Sequence, residues 1–118
     1  MEGKNLGQGG NVLPFSTACL DWKKAVSRVL PAGTYTLCST AGYVTAAIAT
    51  ADATGPGTLL IFDGHNAAGR AVWADQAIAN HAHGGPIDIP VYCDRGITVV
   101  VAATTLGMTV QWIPGARQ

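Results

Sequence analysis

From residue 34 onward, apolar and polar residues alternate along most of the chain, a period of two that marks strands with one buried face. Residues 34–39 alternate through Tyr35 and Leu37, Ala41-Gly42 supplies a turn, and residues 43–51 continue as a strand rich in Ala and Thr. A loop around Gly55-Pro56-Gly57 leads into residues 58–63, TLLIFD, whose nearly unbroken apolar run predicts a core strand. Residues 64–69 turn, and residues 70–76 form a short strand holding Val72 and Trp73. Residues 77–85 read as a polar loop with two histidines. Residues 86–94 alternate again, with Ile87, Ile89, Val91 and Cys93 on one face. Arg95-Gly96 marks a tight hairpin, although Asp-Arg-Gly is not the Asn-Gly pair favoured there. Residues 97–103 are strongly β-branched, residues 104–107 turn, and residues 108–113 close the set with Val110 and Trp112.

Residues 17–30 fit two patterns. Leu20, Trp22, Ala25, Val26, Val29 and Leu30 line one side of a short helix that Ser16 or Thr17 caps. Residues 25–30 also alternate as a strand ending in the turn Pro31-Ala32-Gly33. The strand is preferred, because every later element is β. Residues 1–15 read as an extended N-terminal arm: GKNLGQGGN has no periodicity, and Val12-Leu13-Pro14-Phe15 is its one apolar patch. Such a segment is expected to order on docking. Residues 16–118 then form one domain of seven or eight short strands, an all-β antiparallel sandwich or jelly roll. The connections are too short for crossover helices, which excludes a parallel βαβ fold.

Composition sharpens this picture. Apolar residues make up 48% of the 118 residues, and a chain of this size buries roughly two-thirds of its unfolded surface, enough for a core without metal or disulfide staples. Charged residues are only 12%, about half the usual share. A surface with so few charges repels other protein poorly and suits burial against a partner or against copies of itself. Seven basic residues balance seven acidic ones, so the field that drives non-specific nucleic-acid or anionic-lipid binding is missing. No apolar run reaches 18 residues and residues 1–10 lack an apolar signal core, so a cytoplasmic site of synthesis is expected. Cys19, Cys38 and Cys93 are odd in number and form no CxxC pair; they read as reduced, buried thiols, with a Cys38–Cys93 bridge left open.

Catalytic chemistry finds little support. The seven acidic residues are scattered, several at turns where Asp bonds backbone, and no nucleophile elbow, phosphate loop or dinucleotide fingerprint occurs. No enzyme activity and no cofactor are expected. His81 and His83, two apart on an extended segment, could share a metal with Cys93 or His65, but an H-x-H pair without visible supporting ligands reads as two solvated histidines. Trp73 and Trp112 sit among apolar neighbours and are expected in the core, while Trp22 is the tryptophan expected at a surface or under a partner. A sugar-binding role would rest on Trp22 or Trp73.

Four stretches, "GTLLIFDG", "AAGRAVW", "PIDIPVYCDRGITVVVAA" and "MTVQWI", occur in an order and spacing that resembles the small β-sandwich structural proteins of tailed-bacteriophage virions. The family pattern is a T-L-x-I-Y-D-G strand and turn, small residues with a Gly, a short strand, an alternating strand ending in a D/N-x-G-L/I-T-V-V hairpin, and a closing x-T-V-x-W/Y strand. The match spans residues 24–113. The resemblance implies a virion structural role, most directly a capsid decoration (cement) protein on the capsid surface that clamps neighbouring major capsid subunits, as a homotrimer. A tail, baseplate or fibre-associated module and a carbohydrate-binding sandwich are the alternatives. Leu6, Val12, Leu13, Phe15 and Trp22 are the expected capsid-contact residues, the arm adding a strand to an exposed capsid sheet edge.

Overall fold

The alternating runs become eight strands in the computed structural model, which describes residues 20–116. In chain order they are β1 (Val26–Leu30), β2 (Gly33–Cys38), β3 (Gly42–Thr50), β4 (Gly57–Asp63), β5 (Trp73–Ala77), β6 (Ala82–Cys93), β7 (Ile97–Ala102) and β8 (Met108–Pro114). Among the described residues a 3-10 turn, η1 (Trp22–Lys24), precedes them, and the Asp21 carboxylate accepts the Lys23 N–H at 3.2 Å to cap it. The strand reading of residues 25–30 therefore holds from Val26, and the helical one survives only as that turn. The proposed arm, with Leu6, Val12, Leu13 and Phe15, lies outside the described residues.

The strands form two antiparallel four-stranded sheets, ordered β1-β8-β3-β6 and β2-β7-β4-β5. Only β4 and β5 are both consecutive and paired; every other connection passes from one sheet to the other. One apolar cluster draws on both: Leu30, Val44, Val110 and Trp112 from the first sheet meet Leu59, Ile61, Val99 and Val101 from the second. The arrangement is sandwich-like, with alternate residues of each strand turned to this shared core.

Two irregularities show where local pattern gave way to pairing. Thr45 is an extra residue in β3, so Val44 faces the core before it, and Ala47 and Ala49 face the core after it. Its hydroxyl donates to Gln111 Oε1 at 3.0 Å, which satisfies a polar group that is 3% exposed. On the other side, β6 pairs Val91 with Val44 and then Pro86 with Ala46, leaving residues 87–90 opposite Thr45 alone. The expected common face of Ile87, Ile89, Val91 and Cys93 is therefore broken: Cys93 is buried, Ile87 and Val91 rest partly buried against the core, and Ile89 is 69% exposed.

The expected polar loop over residues 77–85 is also shorter than its composition implied, because β6 already begins at Ala82. Gly84 (φ 123°) makes this possible: β6 runs so close to β3 there that a Cβ would overlap the Ala47 carbonyl oxygen. The short strand expected over residues 70–76 instead begins at Trp73, with Val72 exposed ahead of it.

At one end of the sandwich, Asp52 joins two turns. Its carboxylate accepts N–H and O–H bonds from Thr54 and from Thr105, tying the β3–β4 connection to the β7–β8 connection. These bonds, the Thr54 hydroxyl first, lower its pKa from 3.8 to about 2.

Two outcomes follow for stability. Leu59 is wholly buried, so Leu59→Ala should cost about 3 kcal/mol in a urea titration, while Val29→Ala, at a position 65% exposed, should shift stability by no more than about 0.5 kcal/mol. Because the folded state depresses the Asp52 pKa, the carboxylate's stabilisation is complete above pH 3.8 and is lost as pH falls through about 2. Thermal melts across that window should show a weaker acid dependence for Asp52→Asn than for the natural chain; equal slopes would contradict the assigned role of the carboxylate.

Candidate functional site

Residues directly opposite on antiparallel strands share a face, so the register sorts every paired strand position as inward or outward. Outward on the first sheet stand Ser27, Val29, Ile48, Thr109 and Gln111; outward on the second stand Thr34, Thr58, Leu60, Ala74, Gln76 and Val100. Among the described residues, no Lys, Arg, Asp or Glu occupies a paired outward position on either sheet. The strand charges sit elsewhere. Arg28 pairs with Val110, Asp63 with Ile97 and Asp75 with Leu59, all on the inward side but at a sheet edge or strand end. Asp88 lies in the irregular stretch of β6.

These inward charges guard the sandwich margins, since an edge strand with a charge turned toward the core resists pairing with a stray chain. On one margin Asp75 of β5 and His83 of β6 meet across the two sheets, with Nδ1 2.7 Å from Oδ1. His81 is engaged separately, its Nδ1 2.8 Å from the Ala79 carbonyl oxygen. The two histidines thus serve different partners, and among the described residues no group of three His, Cys, Asp or Glu is gathered that could hold a metal.

The opposite loops build a groove at the end of the second sheet. The β2–β3, β4–β5 and β6–β7 connections converge there around an open volume of about 630 Å³ lined by Ser39, Asp63, His65, Asn66 and Arg95. Hydrogen bonds hold its walls. Arg95 donates its backbone N–H to Asp63 Oδ1 at 2.8 Å and its Nη2 to the Asp63 carbonyl at 3.3 Å. Gly64 N–H donates to the Gly96 carbonyl at 3.0 Å. Thr98, fully buried on the outward side of β7, donates to the Gly64 carbonyl at 2.8 Å, and Thr36 donates to the His65 carbonyl at 3.2 Å. The β4–β5 loop therefore reaches over Thr98 on the outer face, where Phe62 is buried as well.

Of the expected contact residues, Trp22 alone is among the described ones; it sits in η1 and is 46% exposed. Trp112 is 5% exposed in the core, and Trp73 rests partly buried against it. The Trp73 indole N–H is buried with no hydrogen-bond partner among the described residues. Cys38 and Cys93 are free and buried. Burial, with Asp63 and Cys38 adding to it, pushes the Cys93 thiol up to about 12, so it stays protonated and unreactive in neutral solution. Of the groove residues, Asp63 closes the strand expected over residues 58–63, while Asn66 and Arg95 fall in expected turns. Their one local signal is that polar side chains cluster in two separate turns, and only the strand order brings those turns together.

Gly96 is the residue on which the groove's walls depend. At φ 152° it brings Cys38 O, His65 and Gly64 O so near that an added Cβ would lie 2.8–3.0 Å from them. Gly96→Ala should destabilise the protein by more than about 1 kcal/mol and shift the amide NMR signals of Gly64 and His65, whereas Gly55→Ala, in open space, should do neither.

A scan of protein-family models and searches of curated proteins and of solved structures match nothing.

Proposed function

We propose that this chain is a structural protein of a bacteriophage virion, a capsid decoration protein that works by assembly and not by catalysis. The observation that carries the reading is that, among the described residues, no charged side chain occupies a paired outward position on either sheet. An ordinary solvated sheet face mixes charges among its polar residues; one made of Thr, Ser, Gln, Ala, Val and Leu loses little by being covered.

The strand order supports the finer fold reading. Two four-stranded sheets ordered β1-β8-β3-β6 and β2-β7-β4-β5 support reading the sandwich as a jelly roll, an architecture common in viral shells. The resemblance carried by the stretches from Thr58 to Ile113 points the same way. In this reading the domain is a rigid body, residues 1–15 are an arm, and Leu6, Val12, Leu13, Phe15 and Trp22 meet the major capsid protein. Three copies sit on a capsid symmetry axis, and binding only to the assembled shell stabilises it by mass action.

The test is sedimentation of the full chain alone and with undecorated phage shells. The expected species alone is three times the 12.1 kDa chain mass, and the chain should pellet with shells. Leu60→Lys combined with Val100→Glu, an opposite-charge pair directly across the strands at two outward half-buried positions, should leave the domain folded with only a modest loss of stability, yet weaken assembly or shell binding at least tenfold. A monomer that never pellets with shells, or a charged double variant that assembles as well as the natural chain, would remove the reading.

A further inference from the structure

We infer that the groove between the β2–β3, β4–β5 and β6–β7 connections is a binding site for a neutral carbohydrate. The inference stands apart from the assembly reading, which concerns the sheet faces and the arm. It rests on the hydrogen-bonding capacity left over once the groove's internal bonds are counted.

His65 decides the first part. Its Nε2 lies 2.7 Å from the Ser39 carbonyl oxygen, and a carbonyl can only accept, so Nε2 carries the proton. In the neutral ring Nδ1 is then a bare acceptor, and it has no partner among the described residues. Asp63 gives one oxygen to the Arg95 N–H and keeps Oδ2 without a partner there. Asn66 uses Oδ1 to accept the Ala68 N–H at 3.2 Å, which leaves its amide hydrogens as donors. Arg95 spends only one guanidinium nitrogen on the Asp63 carbonyl and keeps further donors.

The residues carrying these two spare acceptors and two spare donors line one concave volume of about 630 Å³, within the size range of small-ligand sites. Each sugar hydroxyl both donates and accepts, so vicinal hydroxyls match this mixture. An anion does not, because the Asp63 carboxylate opposes the charge that Arg95 would attract. A cation does not, for the converse reason. The walls are preorganised by the loop-to-loop bonds, so binding need not order them first.

The experiment is ¹⁵N-HSQC titration of the full chain with glucose, galactose, mannose, N-acetylglucosamine and their β-linked disaccharides, with inorganic phosphate and N-acetylneuraminic acid as anionic arms. At least one neutral sugar should shift the amides of Asp63, Gly64, His65, Asn66 and Arg95 saturably, with little change on the outer sheet faces. Asp63→Ala should weaken that binding about tenfold or more. Since Asp63 also holds the Arg95 turn, Asn66→Ala, at an exposed position outside the strands, serves as the second variant and should weaken binding by a smaller factor with the fold unchanged. Saturable shifts by the anions alone, shifts outside the groove, no shift with any sugar at 100-fold excess over a millimolar-range site (order of magnitude ~10⁻³ M), or unaltered binding by Asn66→Ala would each overturn the assignment.

Discussion

Everything in this protein depends on a core that neither sheet can bury alone. Leu59, Ile61, Val99 and Val101 on one sheet share one apolar cluster with Leu30, Val44, Val110 and Trp112 on the other. The chain reaches that state by crossing between sheets at every connection but one, so almost every pairing joins residues distant in sequence. Loop closure must come before those contacts return any free energy, which makes folding slow and the finished body cooperative. The tolerance for disorder then sits in the turns, and Asp52 answers it at one end by holding two of them with a single carboxylate.

The same constraint governs where charge can go. With the inward faces committed to the core, an outward face is the natural place for Lys, Glu, Asp and Arg, yet among the described residues none occupies a paired outward position. Arg28, Asp63 and Asp75 stand on the inward side where a margin or strand end lets water reach them. That placement blocks strand addition at the edges while leaving the broad faces bare. That arrangement is the physical ground for the proposed role in a shell. The groove lies at the loop end of the second sheet, where the β4–β5 loop that lines it also reaches over Thr98 on the outer face.

Legibility followed the range of the interaction. The strands over 97–103 and 108–113 were readable because β-branched residues and alternation are local properties, and β7 and β8 occupy those positions. Residues 82–85 were not readable as strand, since two glycines beside histidines carry every local sign of a loop; a close approach to Ala47, on a different strand, is what requires glycine there. Ile89 fitted the alternation perfectly and still faces outward, because the partner strand offers one residue, Thr45, where β6 brings four. The groove was illegible for a related reason: Asp63, His65 and Arg95 belong to turns 30 residues apart, and turn composition records only local backbone needs.

By itself, then, the amino-acid order determined the class of element, the position of most turns, the scarcity of charge and the pool of core residues, because each arises from neighbours within a few positions. Which strands pair, where alternation slips at Thr45, which face each charge takes and which turns meet to form a groove were decided only in the tertiary structure. Those features come from burying two sheets against each other, and that free energy has no representation in any single stretch of chain.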